Sequence, residues 1–140
     1  MKDVEVLLRG FAMLMKGAEY APSMNKFLNR FSRFSQSFSK SRNEYLENLF
    51  RSFLENCAKY PAGVFVSART KRFSIALYEA VFTAASQKAL KDNTLSAQPI
   101  AASAIHTLDT DPEFVEASEK ASADRVNVEK RLQRARALLL

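Results

Sequence analysis

The chain has 140 residues, with 21 Lys and Arg against 15 Asp and Glu, a net charge of +6, one histidine and one cysteine. That length suits a single domain spanning residues 1–140 that buries about two-thirds of its unfolded surface. A lone Cys57 excludes an intrachain disulfide and suits a reducing, cytoplasmic setting, and no apolar run reaches the roughly 20 residues of a membrane span.

Asp3 and Glu5 precede the first apolar residues, so the opening segment does not read as a secretory signal. The first helix is expected from Asp3 to about Lys16, where Val4, Leu8, Phe11 and Met15 repeat at helical spacing and Gly17 ends the run. Pro22 suits the start of a second helix reaching about Phe38. Ser41 and Glu44 form a capping-box pattern for a third helix, in which Leu46, Leu49, Phe50, Phe53, Leu54 and Cys57 keep helical spacing until Pro61 and Gly63.

The connector Ala62–Arg72 holds an apolar piece, Val64, Phe65 and Val66, with no partner strand nearby. Phe73–Leu90 has few charges on any side and reads as a central helix buried nearly all round. Another helix is expected near Pro99–Leu108. A short one follows, with Asp111 as N-cap, Pro112 in the first helical position and Glu113 near the positive dipole end. The last runs from about Ala123 to Leu140, with Val128, Leu132, Ala135 and Leu139 on one face. Only three glycines and four prolines interrupt the chain, which favours helices over sheets. The expected fold is all-α, a compact bundle of about six or seven helices around a central apolar helix.

The charge is unevenly spread. Residues 16–72 carry eleven Lys and Arg against four Glu, a local +7; residues 91–124 carry two Lys against seven acids, a local −5; residues 125–140 carry five Lys and Arg against one Glu, a local +4. A basic first half can attract a polyanion, or the acidic stretch can neutralise it within the fold.

No catalytic constellation is legible. His106 is the single histidine, so a Ser/His or Cys/His nucleophile pair or an imidazole metal site lacks its partners, and it reads as a surface or core residue. Cys57 lies on an apolar stripe and reads as a small buried hydrophobe. The three glycines are too far apart for a phosphate loop. Asp109, Asp111 and Glu113 alternate like calcium ligands but lack the glycine and the distal Glu, so the cap reading is preferred. Glu116 and Glu119 read as a solvated face. No cofactor and no metal are expected, and the chain is not expected to be an enzyme on its own.

Two groups of bases are the candidate nucleic-acid-binding residues: Lys26, Arg30 and Arg33 in the second helix, and Arg69, Lys71 and Arg72 in the connector. At about 100° per residue, Phe27, Phe31, Phe34 and Phe38 fall within an arc of about 60°, while the three helix bases gather about 90° to one side. Rings and bases thus occupy different faces, which fits a packed helix better than a stacking platform. The connector bases precede a helix start and can meet phosphate there or serve as a solubilising loop.

"DVEVLLRGFAM" (Asp3 to Met13), "YAPSMNKFLNRF" (Tyr20 to Phe31), "RFSIALYEAVF" (Arg72 to Phe82), "DPEFVEAS" and "DRVNVEKRLQRA" occur in an order and spacing that resemble the C-terminal helical half of the GmrSD-type restriction proteins. These are modification-dependent defence enzymes with a ParB/sulfiredoxin-like N-terminal domain. The resemblance spans nearly the whole chain, although Pro22 stands where the family has Gly. The family's catalytic Asp-Gly-Gln-Gln-Arg motif is absent here, and one histidine cannot supply the His-Asn-His nuclease of some members. The chain looks like the helical part alone, from a split gene, a truncated copy or an internal start. The resemblance implies an association with DNA-restriction or phage-defence systems; the first reading is a non-catalytic module that holds a partner domain and can touch DNA through its basic first half. The apolar residues of the first helix, Val4, Leu7, Leu8 and Phe11, and the closing Leu138, Leu139 and Leu140 are the expected surface for a protein partner or for self-association; no membrane contact is expected. The alternative is a stand-alone nucleic-acid-binding protein using the basic 16–72 segment.

Overall fold

The computed structural model describes residues 2–140, with side chains from Val4 onward. Seven α-helices follow in order among these residues: α1 (Lys2–Lys16), α2 (Met24–Ser35), α3 (Lys40–Cys57), α4 (Ile75–Asp92), α5 (Ala102–Thr110), α6 (Pro112–Glu119) and α7 (Arg125–Leu139), with one 3-10 turn, Gly17–Glu19, after α1. The fold is all-α, as expected. The Asp3 side chain, part of the signal and resemblance readings, lies outside the described residues.

Helix starts follow side-chain chemistry. Ser74 accepts from the Leu77 N–H at 3.1 Å and opens α4; Asp111 accepts from the Phe114 N–H at 3.0 Å and opens α6, with Pro112 in its first position. Each cap satisfies an N–H that has no partner within its helix. α3 departs from expectation. Its N-cap is Ser39, which accepts from the Arg42 N–H at 3.1 Å, and the Ser41 hydroxyl bonds that of Ser39 instead. Two serines compete for one helix start, and the tight turn closed by Phe38 N–H donating to Ser35 O lets the helix begin earlier. α2 accordingly ends at Ser35, short of Phe38. At the far end of α4, Asn93 adopts the left-handed backbone of a helix stop, with φ +56°.

α4 is the axis of the bundle, lying against α1, α3, α5 and α7. Every residue from Leu77 to Ser86 is buried, the all-round burial its composition predicts. Its alanines let neighbours approach, and α1 answers with a glycine. A Cβ on Gly10 would lie 3.0 Å from both the Phe82 ring and the Tyr78 hydroxyl. That close approach reorients α1. Gly10, Ala12 and Met13 are buried, whereas Val4, Leu8, Phe11 and Met15, the apolar stripe of the sequence, sit on its exposed or half-buried flank. The apolar interior forms two clusters. One surrounds α4 with Leu49, Phe53, Ile105 and Phe114; the other joins Ala12, Met13, Tyr20, Phe27, Leu28, Phe31, Val128 and Leu132.

The apolar piece is held by a single isolated bridge to the residue just beyond the connector. Val66 pairs antiparallel with Phe73, and the Ser67 N–H donates to Arg72 O at 2.9 Å. Asp109, buried, accepts from the Ala68 N–H at 3.0 Å and ties this hairpin to α5.

Charge is also buried where α1, α4 and α7 meet. Arg9 donates to Glu79, and Arg131 donates to Ala117 O at 2.7 Å and Ser122 O at 2.9 Å. Burial pushes the Glu79 carboxyl above its ordinary value against the opposing pull of Arg9, and it lowers the Arg131 guanidinium.

Candidate nucleic-acid and partner surfaces

The surface electrostatics depend on which bases find acids inside the fold. The acidic stretch is neutralised mostly by α7: Arg134 grips Asp111 with Nε to Oδ2 at 3.0 Å and Nη2 to Oδ1 at 2.9 Å, and Lys130 reaches Glu113 at 3.6 Å. Arg134 holds the Asp111 carboxyl below its ordinary value. From the basic first half only Arg69 joins that stretch, through Glu119 at 2.9 Å. Lys26, Arg30, Arg33, Lys71 and Arg72 are exposed and make no ion pair among the described residues. The alternative in which the acidic stretch neutralises the first half is therefore met at one of the six candidate positions.

The six do not form one site. Lys26, Arg30 and Arg33 ride on α2, which belongs to the Tyr20–Phe27–Val128 cluster. The connector sits on the other cluster through Phe65, 6.4 Å from the Phe53 ring and 5.9 Å from Tyr78. Its Arg69 is engaged, and Ser74 already takes one of the free N–H groups at the start of α4.

On α2 the rings divide. Phe27 and Phe31 are buried, Phe38 is half-buried, and Phe34 is 42 % exposed. The cause is tertiary. α2 stops at Ser35, so Phe38 folds back edge-on to Phe34, with centroids 5.1 Å apart and planes at 87°. α1 ends close by, bringing the Lys16 ammonium 4.4 Å from the Phe34 ring centroid. A similar cation lies over the next ring, Arg42 at 5.3 Å from Phe38. Cations near ring faces are attracted by the ring quadrupole. The result is a cleft of about 400 Å³ lined by Lys16, Glu19, Phe27, Arg30, Phe31 and Phe34. The separation of rings and bases holds for α2 alone and fails once α1 supplies Lys16. Sequence reasoning missed Lys16 and Glu19, because nothing in the linear pattern places the end of α1 beside Phe34.

A second cleft shares Phe31 with the first. It is an apolar groove of about 360 Å³ between α1, α2 and α3, formed by Val4, Leu7, Leu8 and Phe11 with Phe31, Phe38, Leu46 and Phe50. Val4 is 56 % and Leu7 38 % exposed. Ser35, Asn43 and Glu47 are the polar residues in its lining. The other expected apolar surface is largely spent inside the chain. Leu139 is buried and Leu138 packs against the core, so Leu140 alone of the closing leucines is exposed.

His106 is exposed on α5, and its carbonyl accepts from the Thr110 hydroxyl at 3.2 Å. Cys57 is half-buried rather than buried, and desolvation pushes its thiol up to about 11, which disfavours the reactive thiolate. Among the described residues no group of three or more His, Cys, Asp or Glu stands close enough to hold a metal ion, and no helix is long and apolar enough to cross a membrane. What the fold and these surfaces define is an all-α bundle with one basic–aromatic and one apolar cleft on the α1–α2 seam. No protein-family model, no curated protein and no solved structure matches the chain.

Proposed function

We propose that the chain is a non-catalytic helical binding module that holds a partner domain in the groove between α1, α2 and α3 and meets nucleic acid along the basic ridge of α2. The observation that carries the reading is the groove: Val4 and Leu7 stand open to water beside Leu8, Phe11, Phe38 and Phe50, with few polar groups among them. An apolar patch of this kind on an otherwise charged surface marks a contact site. The resemblance to the helical half of GmrSD-type proteins supplies the expected partner, a restriction or phage-defence domain carrying the catalytic motif that this chain lacks. Sedimentation combined with binding of an apolar dye tests it. The chain is expected to bind the dye or to self-associate, and Leu7→Glu to suppress both while the helical signal is kept. A monodisperse monomer with no dye-accessible patch contradicts the reading.

The second reading is a stand-alone nucleic-acid-binding protein. The absence of acidic partners for Lys26, Arg30 and Arg33 among the described residues favours it, since bases not neutralised within the fold are free to displace counterions from phosphate. The two readings separate when the isolated chain is titrated with DNA. Tight, salt-sensitive binding without any partner supports the second.

A further inference from the structure

We propose that the cleft between Lys16, Arg30 and Phe34 is a single-strand site: it takes one unstacked base against the Phe34 ring and leads the flanking phosphates along Arg30, Lys26 and Arg33. The proposal rests on the nucleic-acid part of the function above and gives it a ligand class and a position.

Four observations converge there. Phe34 is a large apolar ring left 42 % exposed, although its neighbours Phe27 and Phe31 on the same helix are buried. Phe38 braces it edge-on at 5.1 Å and Phe31 is tilted against it at 6.2 Å, so its orientation is set before any ligand arrives. A ring held in place loses little freedom on binding. The Lys16 ammonium lies 4.4 Å from the ring centroid, which shows the π face turned toward the cleft. A flat base can displace that flexible side chain, whose ammonium stays paired with Glu19 at the rim. Finally, the cleft of about 400 Å³ lies within the range of small-ligand pockets and accommodates one base.

The charges set the direction of the backbone. Glu19 forms part of the wall and pairs with Lys16 at 3.4 Å, so that side repels phosphate and offers an acceptor to a base. Arg30 forms the other wall, with Lys26 one turn before it and Arg33 one turn after. This ridge rises about 10 Å along the helix axis, enough to follow successive phosphates of an extended strand. A duplex keeps its bases stacked and can use only the ridge. Stacking on an aromatic ring belongs to single strands and tolerates any sequence.

The test is fluorescence anisotropy with a short single-stranded DNA oligomer and the corresponding duplex at low salt, on wild type, Phe34→Ala, Phe34→Leu and Phe73→Ala. Phe73 is an exposed ring on the connector hairpin and serves as the control. Phe34→Ala is expected to weaken single-strand binding about ten-fold, the scale of one lost base–ring stack, and to leave duplex binding unchanged. Phe34→Leu keeps the apolar bulk without the π face and is expected to lose as much, so the result holds even if the alanine variant is poorly folded. Phe73→Ala is expected to change neither. Free deoxyadenosine monophosphate is expected to compete weakly, because it lacks the neighbouring phosphates. Single-strand binding indifferent to both Phe34 variants, an equal loss on duplex, or a mononucleotide that competes as well as the oligomer overturns the proposal while leaving a nucleic-acid function standing. No binding of any nucleic acid by wild type removes both.

Discussion

Helix α7 carries five bases, Arg125, Lys130, Arg131, Arg134 and Arg136, and α2 carries three, Lys26, Arg30 and Arg33. In α7 four of the five are engaged: Arg125 with Glu129 at 2.8 Å, Lys130 with Glu113, Arg134 with Asp111 and Glu113, and the buried Arg131 with the carbonyls of Ala117 and Ser122. In α2 none of the three has an acidic partner among the described residues. A segment's net charge therefore becomes a property of the surface only after the internal pairs are subtracted. Lys130, Arg131 and Arg134 hold α6 and its cap Asp111 to the bundle, whereas the α2 bases have no such partners among the described residues.

That contrast breaks most sharply at Arg131. It is fully buried beside Glu79, and removing one member of a buried charge set leaves the others uncompensated. Arg131→Ala is expected to cost about 3 kcal/mol in urea unfolding; a cost below about 1 kcal/mol would remove the structural role given to α7.

Asp111→Ala is the next largest effect. It deletes the α6 cap and both hydrogen bonds from Arg134. A cost of about 2 kcal/mol is expected near neutral pH. The hydrogen bonds from Arg134 and the backbone hold the Asp111 carboxyl below its ordinary value of 3.8. A carboxyl lowered in the folded state contributes stability that is present above that ordinary value and is lost as pH falls through the folded one. The gap between wild type and Asp111→Ala should therefore narrow as pH falls below about 3.8; a gap that stays constant into strong acid would contradict the pairing. At the small end, Arg30→Gln should change stability by no more than about 0.5 kcal/mol, as expected for a solvated side chain. A larger loss would mean that α2 also uses its bases structurally.

Much of this architecture can be read along the chain. The helices follow the spacing of apolar residues, the α6 start follows from Asp111 and Pro112, and the burial of α4 follows from its lack of charge. What stayed hidden depended on choices between equal local signals or on contacts between distant segments. Ser39 and Ser41 are both acceptable caps, and the turn before them decides. Val66 has no visible partner because its partner, Phe73, lies across a hairpin whose turn needs Lys71 at φ +62°, a conformation uncommon outside glycine. The burial of Ala12 and Met13 was hidden because Gly10, a residue without a side chain, determines which side of α1 lies closest to α4. The aromatic–basic cleft was half legible. Arg30 and the rings of α2 are evident in the pattern, but Lys16 reaches Phe34 through a turn that no periodicity predicts.

The α2 bases are available to a polyanion, and the four engaged bases of α7 are not. This difference is tested most directly by the salt dependence of single-stranded DNA binding for wild type, Arg30→Gln and Arg125→Gln. A steep loss of affinity with salt is expected for wild type, with a slope reduced by about 0.7 in Arg30→Gln and unchanged in Arg125→Gln. Binding that is absent at low ionic strength, or a slope that responds equally to both substitutions, would contradict it.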